Sequence, residues 1–204
     1  MSNLTFFTLL ELWNEKKNIY YESLKTEYEI YINTVSQKGM AASLECCIFL
    51  VIVYDLIKAE MILDLGSGFS SYALRFFKKF NDNIFSIDTD TKWLNKSYEF
   101  CRSKNVDIEN FETWNNFKNK DIKFDLIFLD IDNKKPTDRS IYFPFVFEKY
   151  SKKETLIICD DLHKKRINST LKEYLKNKKN LKQHDIRKQT EDEFGRFSTL
   201  IEVI

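Results

Sequence analysis

Acidic residues stand at or near the ends of four short apolar segments of the chain. Asp64 lies inside the segment MILDLGSG, and Asp88, Asp130 and Asp160 each close a later apolar segment. Ligands of open parallel sheets bind outside the carboxyl ends of the strands, so acids at these ends would collect along one edge. The sequence therefore predicts a ligand-binding crevice lined with carboxylates.

The first of these acids is followed by the turn Gly66-Ser67-Gly68. Glycine lets the backbone approach a ligand closely, and a helix that follows such a turn offers free N–H groups. A dinucleotide-binding turn reads G-x-G-x-x-G, but Ser71 stands where the third glycine would be. The carboxylate of Asp64 would also repel a pyrophosphate. The turn is better suited to a ligand that carries an ammonium group.

Asp88 ends the second apolar segment, 22 residues after Gly66. An acid at this place accepts hydrogen bonds from ribose hydroxyls. A ribose joined to a cationic amino acid is the chemistry of S-adenosylmethionine, so the turn and the two acids predict a site for this cofactor. The alternative is that exposed acids merely cap the strand ends.

The hydrophobic pattern shows which elements must position these residues. Short apolar segments alternate with amphipathic ones, which is typical of β-α-β units in a parallel sheet with helices on both faces. Strands are predicted at 60–65, 83–88, 107–112, 124–130 and 154–160. Helices are predicted at 4–34, 40–58, 70–80, 91–104, 138–150 and 163–177. The segments LKQHDIRKQ and RFSTLIEVI, joined by a polar turn, predict a terminal hairpin with an antiparallel strand.

Three features together resemble the class I S-adenosylmethionine-dependent methyltransferases: D-L-G-S-G in the first strand, an acid ending the second strand and the terminal hairpin. The resemblance covers about residues 40–204, with residues 1–39 as an N-terminal helical cap. It implies an α/β fold, a Rossmann-like doubly wound sheet of seven strands in the order 3-2-1-4-5-7-6, one of them antiparallel.

The same resemblance implies roles for individual residues. Asp64 and the turn Gly66-Ser67-Gly68 would hold the methionine end of the cofactor, and Asp88 would hold its ribose. Thr113 and Trp114 would lie near the adenine, with ordinary packing as the alternative for Trp114. Asp130 would complete the cofactor edge.

The later acids occur close together in the sequence. DLIFLDIDNKKP holds Asp130 and Asp132, and ETLIICDDLHKK holds Asp160, Asp161 and His163. Several carboxylates that converge on one edge repel each other unless a cation or a proton lies between them. Oxygen ligands suit Mg²⁺ or Ca²⁺.

These two segments resemble the catechol and caffeoyl-coenzyme A type of O-methyltransferase. The resemblance implies that Asp130, Asp160 and Asp161 bind a divalent metal, Mg²⁺, although Asp161 replaces the family's Asn. The family's catalytic lysine aligns with Asn133, and Lys134 comes one residue later. The alternative is a metal-free cofactor and substrate edge.

The candidate catalytic residues are therefore His163, Asp130 and Lys134. His163 could accept a hydroxyl proton as the methyl group transfers, or it could be an exposed histidine at a helix start. The predicted function is O-methylation of a small-molecule hydroxyl. The alternatives are a protein or amine acceptor, and a non-catalytic cofactor-binding protein. An aminopropyl transferase of the same fold and a dinucleotide-dependent oxidoreductase are disfavoured.

Composition limits the partners. The 204 residues have a net charge of +1, so a nucleic-acid partner is not predicted. Four cysteines without metal-type spacing fit free thiols in the reducing cytoplasm. The longest apolar run, CCIFLVIVY, is too short for a membrane span and predicts a buried helix. The aromatic residues of the first helix suit core contacts or a homodimer.

Overall fold

Strands and helices alternate along most of the chain, whose described residues in this computed structural model are 6–132 and 139–204. The first half contains α1 (Phe6–Thr34), α2 (Leu44–Ile57), β1 (Met61–Leu65), α3 (Phe69–Phe76), β2 (Asn83–Asp88), α4 (Thr91–Ser103), β3 (Phe111–Thr113) and α5 (Trp114–Phe117). The second half contains β4 (Phe124–Leu129), a 3₁₀ turn (Ser140–Tyr142), a π-helical turn (Phe145–Lys149), β5 (Ser151–Cys159), α6 (Lys165–Leu175), β6 (Leu181–Asp185), α7 (Arg187–Thr190) and β7 (Thr199–Val203).

The strands form one seven-stranded sheet in the order β3-β2-β1-β4-β5-β7-β6. Strands β1 to β5 pair in parallel, and β7 pairs antiparallel with both β5 and β6. The predicted sheet order and antiparallel strand are confirmed. Strand order reverses direction between β1 and β4, which is where a doubly wound sheet opens a crevice for a ligand.

Both faces of the sheet are covered, which explains why the central strands are apolar throughout. Ile62 and Leu126 join a core with residues of α1 to α4. Their neighbours Leu63 and Ile127 join a second core with residues of α5, α6 and the two short turns. Successive strand residues point to opposite faces, so each face buries its own half of the strand.

The helix α2 is buried nearly all round, as the run CCIFLVIVY predicts. Ser43 caps its first turn by accepting a hydrogen bond from the Cys46 N–H group at 3.1 Å. The helix α1 packs against α2 and contributes to the same core, with Leu24 and Tyr31 fully buried. The division of the chain at residue 39 stays a prediction. All four cysteines are buried free thiols.

Several elements differ from their predicted bounds, and three of the differences have a clear physical reason. The third strand begins only at Phe111, because Asn110 has a left-handed backbone (φ 57°) and Asp107 closes a turn on the Glu109 N–H group. Pro144 interrupts the helix predicted at 138–150, which leaves a 3₁₀ turn and a π-helical turn. The strand β6 ends at Asp185, whose carboxylate accepts a hydrogen bond from the Arg187 N–H group and closes a turn before α7.

Within the described ranges, none of the helices has both the length and the apolar character that crossing a bilayer requires.

Candidate active site

The glycine turn after β1 is locked between its neighbouring strands. Gly66 has a φ of +103°, and a Cβ atom there would lie 2.6 Å from the carbonyl carbon of Asp130 and from the Ile131 nitrogen. Its N–H group donates to the Ile87 carbonyl at 2.8 Å, and the Asp130 N–H group donates to the Leu65 carbonyl at 2.7 Å. Only glycine fits this position, because both the backbone conformation and the contact distance exclude a side chain.

Asp64 lies beneath this turn and is fully buried. Its carboxylate accepts hydrogen bonds from the hydroxyls of Ser70 at 2.8 Å, Ser86 at 3.0 Å, and Ser71. Burial raises the pKa of Asp64 to about 6, although the serine hydroxyls oppose the rise. Asp64 thus stabilises the turn and the start of α3 through buried hydrogen bonds. Its predicted contact with the methionine end stays a prediction.

Arg75, which sequence reasoning did not single out, supports the same cluster. Its guanidinium is buried and donates to the Ser86 hydroxyl at 2.7 Å and to the Ile84 and Glu109 carbonyls at 3.0 and 2.9 Å. It stacks over the Phe111 ring at 4.1 Å. Arg75 therefore ties α3 to β2 and β3 and places a positive charge near the buried Asp64.

Asp88 meets the glycine turn, and its predicted contact with the ribose stays a prediction. Its Oδ2 accepts hydrogen bonds from the Ser67 N–H group at 3.0 Å and from the Ser67 hydroxyl at 3.1 Å. Its Oδ1 accepts from the Asp90 N–H group at 2.9 Å. Burial raises the pKa of Asp88, and these hydrogen bonds oppose the rise. The end of β2 and the turn after β1 thus form one unit at the crevice.

Thr113 lies beside Asp88, its register partner at the end of β3. Trp114 is half-buried and packs edge-on against the rings of Tyr142, Phe145 and Tyr150, at centroid distances of 5.0, 4.9 and 6.4 Å. Sequence reasoning missed Tyr142, whose pKa is raised to about 12 by burial and by nearby acids, Asp88 first among them. The aromatic packing of Trp114 is observed, and its contact with adenine stays a prediction.

The ends of β4 and β5 hold a buried arginine that sequence reasoning missed. The Arg139 side chain is only 1% exposed. Its Nη2 donates to Asp130 Oδ1 at 2.6 Å and to Asp161 Oδ2 at 2.8 Å, and its Nε donates to Asp132 Oδ1 at 3.1 Å. The three acids Asp130, Asp132 and Asp161, called the acid cluster below, therefore surround one guanidinium.

The same guanidinium binds main-chain oxygens of both strands. Its Nη1 donates to the Asp160 carbonyl at 2.6 Å and to the Leu129 carbonyl at 3.3 Å, and its Nη2 donates to the Asp130 carbonyl at 3.1 Å. Burial alone would lower the pKa of Arg139, but the surrounding carboxylates raise it above its ordinary value. Arg139 is therefore a permanent cation that joins β4 to β5.

The two acids that follow β5 have different partners. Lys164 Nζ lies 2.5 Å from Asp161 Oδ2. Burial alone would raise the pKa of Asp161, but the charges of Arg139 and Lys164 outweigh it, so this pKa is lowered. Asp160 instead accepts a hydrogen bond from the Ser198 hydroxyl at 2.7 Å, and burial followed by the Asp161 charge raises its pKa. Asp160 thus binds the residue just before β7, whereas Asp161 belongs to the acid cluster.

The predicted metal ligands were Asp130, Asp160 and Asp161. A divalent ion such as Mg²⁺ needs several oxygen ligands at about 2.0–2.1 Å. The guanidinium of Arg139 binds two of these acids, and Ser198 binds the third. Within residues 6–132 and 139–204, no three His, Cys, Asp or Glu side chains are grouped so that they could hold a metal ion. In this arrangement the residues do not fit a divalent metal.

His163 lies beside the acid cluster. Its Nδ1 is 3.6 Å from Asp161 Oδ1, too far for a hydrogen bond, and this buried atom has no hydrogen-bond partner in the described part of the chain. The candidate base Lys134, together with Asn133, lies outside the described residues. The geometry therefore brings Asp130 and His163 to one edge, and their catalytic roles stay predictions.

The sheet order, the antiparallel β7 and the glycine turn after β1 are those of the class I S-adenosylmethionine-dependent methyltransferase fold. Solved structures agree with this assignment. An O-methyltransferase from Bacillus cereus, in complex with S-adenosylhomocysteine, has a TM-score of 0.66 at 17% identity, covering 91% of this chain and 90% of that chain. No protein-family model and no curated protein sequence matches this chain.

Two further structures share the fold. The O-methyltransferase TomG from Streptomyces achromogenes, involved in tomaymycin synthesis and solved with S-adenosylmethionine, has a TM-score of 0.70 at 17% identity, covering 95% of this chain and 97% of that chain. The methyltransferase PaMTH1 from Podospora anserina, with S-adenosylhomocysteine bound, has a TM-score of 0.62 at 14% identity, covering 96% and 87%. The chain is thus similar to these enzymes along nearly its whole length.

Proposed function

We propose that the protein is an S-adenosylmethionine-dependent methyltransferase that transfers a methyl group to a hydroxyl of a small molecule. One observation carries the proposal. The turn at Gly66 is pressed onto the backbone of Asp130 and bound to Asp88, at the point where the strand order reverses. This is the crevice in which a doubly wound fold binds its ligand.

The cofactor's parts have chemically suitable neighbours at this crevice. The N-terminus of α3 follows Gly68 and suits the carboxylate of the methionine end, because helix N-termini carry free N–H groups. Asp88 suits the ribose hydroxyls. Thr113 and Trp114, at the end of β3, suit the adenine. Asp64 supports the turn by accepting hydrogen bonds from the hydroxyls of Ser70 and Ser71.

We propose that the acceptor binds at the ends of β4 and β5. S-adenosylmethionine, when bound, supplies an electrophilic methyl group on a sulfonium. His163 is the leading base of the described residues, because its ring lies beside the acid cluster and Nδ1 faces Asp161. We assign proton acceptance from the acceptor hydroxyl to Nε2 of His163, which would leave the hydroxyl oxygen free to take the methyl group.

The names of similar solved proteins support a hydroxyl acceptor, since two of them are described as O-methyltransferases. The near-neutral net charge of +1 supports a small molecule over a nucleic acid. A turnover assay distinguishes the alternatives. An amine or protein acceptor would carry the label, and a protein that binds the cofactor without chemistry would give no labelled product.

Isothermal titration of S-adenosylhomocysteine into the full chain tests the cofactor site. We expect micromolar binding that weakens at least roughly tenfold in Asp88→Asn, which keeps the side-chain shape but removes the charge. The exposed Asp121→Asn is the matched control and should bind as the wild type does. A folded protein that does not bind S-adenosylhomocysteine would overturn the proposed function.

Turnover tests the reaction itself. Radiolabelled S-adenosylmethionine is supplied with a catechol, an aliphatic alcohol, an amine or a protein extract as acceptor. We expect label in a hydroxyl compound and a loss of turnover in His163→Gln, with cofactor binding retained. Label only in an amine or in protein would reject the hydroxyl acceptor while leaving the cofactor site in place.

A further inference from the structure

The acid cluster raises a question of charge. Three carboxylates within reach of one another, at an edge where the sheet opens, need compensating positive charge. Resemblance to the catechol-type enzymes implies a divalent metal in this role. The structure instead contains two protein cations, Arg139 and Lys164, next to the three acids. Burial moreover raises the pKa of Asp130 well above its ordinary value, against the effect of Arg139, which favours the neutral form of this carboxyl.

The donors of Arg139 are fully used. A guanidinium has five N–H donors in a planar fork. Around Arg139 stand three carboxylate oxygens and three main-chain oxygens, all at hydrogen-bond distance. The side chain is also almost completely buried. Arg139 therefore has no donor left for a substrate, and its hydrogen bonds within the described part of the chain go to residues at or just after the ends of β4 and β5.

The position of the guanidinium also excludes a metal ion. Asp130 Oδ1 and Asp161 Oδ2 both point at Nη2, at 2.6 and 2.8 Å. A divalent ion bound to these two oxygens would lie at short range from a permanent cation, which electrostatic repulsion opposes. The Asp160 carboxylate is turned to Ser198 on the side of β7.

We propose that Arg139 is the built-in cation of the acid cluster, taking the place of a divalent metal and fixing the spacing of the β4 and β5 ends. It acts as a positioning residue, holding Asp130 beside the cofactor crevice and Asp161 beside His163. Cofactor binding and methyl transfer at this edge then need no divalent ion, a part of the proposal that rests on the proposed function.

Manganese binding tests the first part directly. The free Mn²⁺ signal in electron paramagnetic resonance is measured with the full chain, with and without S-adenosylhomocysteine. We expect wild-type protein to leave the signal of micromolar Mn²⁺ unchanged. One bound Mn²⁺ per chain, lost in Asp161→Asn, would overturn the proposal. This readout needs neither turnover nor cofactor binding, so it stands even if the proposed function fails.

Arg139→Lys tests the bridging role, because it keeps the charge but loses the fork of donors. We expect its melting temperature to fall by roughly 10 °C, since a buried pairing network is broken. Arg102→Lys, at an exposed site on α4, is the matched control and should melt as the wild type does. If Arg139→Lys also melts as the wild type does, the guanidinium does not hold the strand ends, and the proposal fails.

The third measurement concerns the cofactor. S-adenosylhomocysteine affinity in EDTA and in millimolar Mg²⁺ should agree within twofold for the wild type. A tenfold gain from Mg²⁺ would overturn the metal-independent part of the proposal. Absence of S-adenosylhomocysteine binding under both conditions would instead reject the proposed function and leave the manganese result to decide the role of Arg139.

Discussion

Two groups of acids at the same sheet edge are stabilised in different ways. Beside the glycine turn, Asp64 is surrounded by neutral serine hydroxyls, and burial raises its pKa to about 6. Across the crevice, Asp161 contacts two cations, Arg139 and Lys164, and its pKa is lowered despite burial. Asp64 accepts hydrogen bonds from neutral groups only, with the Arg75 guanidinium nearby, whereas Asp161 is paired directly with two cations.

The difference has a functional meaning. Hydroxyl groups leave a buried carboxylate incompletely compensated, so a cationic ligand nearby would stabilise its charged form. A guanidinium at 2.8 Å already compensates its partner and fixes the geometry. The turn region is therefore suited to respond to a positively charged cofactor, whereas the acid cluster is suited to act as a rigid support.

Gly66→Ala should give the largest effect, because Gly66 is the point where the two regions touch. Its added Cβ would lie 2.6 Å from backbone atoms of Asp130 and Ile131, in a backbone with φ +103°. We expect the free energy of unfolding to fall by more than about 4 kcal/mol, or the chain not to fold. Urea denaturation followed by circular dichroism measures the change.

Gly39→Ala is the control for that substitution. A Cβ at Gly39 meets no atom within 4 Å, so its effect should stay within about 0.5 kcal/mol. Equal stability of the two variants would show that the turn has room for a side chain beside the backbone of Asp130 and Ile131. The two regions would then not be in direct contact at Gly66.

Asp64→Asn should change how stability depends on pH. The folded-state pKa of Asp64 is about 6, above its ordinary value of 3.8, so the folded protein binds this proton more tightly than the unfolded chain. The stabilisation is present below pH 3.8 and is lost as pH rises through 6, an amount of about 3 kcal/mol. The free energy of unfolding of Asp64→Asn should therefore not show this fall with rising pH, whereas that of the wild type should.

Asp161 should contribute to the free energy of unfolding with the opposite pH dependence, which Asp161→Asn would remove. The pKa of Asp161 is lowered below 3.8, so its contribution is present above that pH and is lost as the pH falls further. Denaturant titrations at several pH values between 3 and 7 measure both slopes. If the wild type and Asp64→Asn have the same pH dependence between 4 and 7, the hydroxyl cluster compensates Asp64 fully, and the contrast between the regions disappears.

Lys164→Ala should give the smallest effect. The lysine side chain is 42% exposed, and solvent screens its pair with Asp161 despite the 2.5 Å separation. We expect a loss below about 1 kcal/mol that shrinks further in salt, with Lys165→Ala as the neighbouring control. A loss as large as that of Arg139→Lys would mean that Lys164, and not Arg139, is the main cation of the acid cluster.

Much of the fold could be predicted because its signals are local. Apolar runs of strand length, separated by amphipathic segments, produced the sheet, and its order followed from the resemblance carried by the turn and the terminal hairpin. The approach of Asp88 to the turn was also predictable, because carboxyl ends of parallel strands meet at one edge. The late start of β3 was missed, since the Asp107 turn competes with strand formation in the polar segment before Phe111.

The sequence by itself determined the strands, the glycine turn and the acids at the carboxyl edge, because periodicity and residue type suffice for these. Only the tertiary structure decided what neutralises those acids. Arg139 has no periodic or spacing signal, yet it lies buried between β4 and β5 with every donor used. Which cation compensates a cluster of carboxylates depends on distances between residues far apart in the chain, and those distances exist only once the sheet has formed.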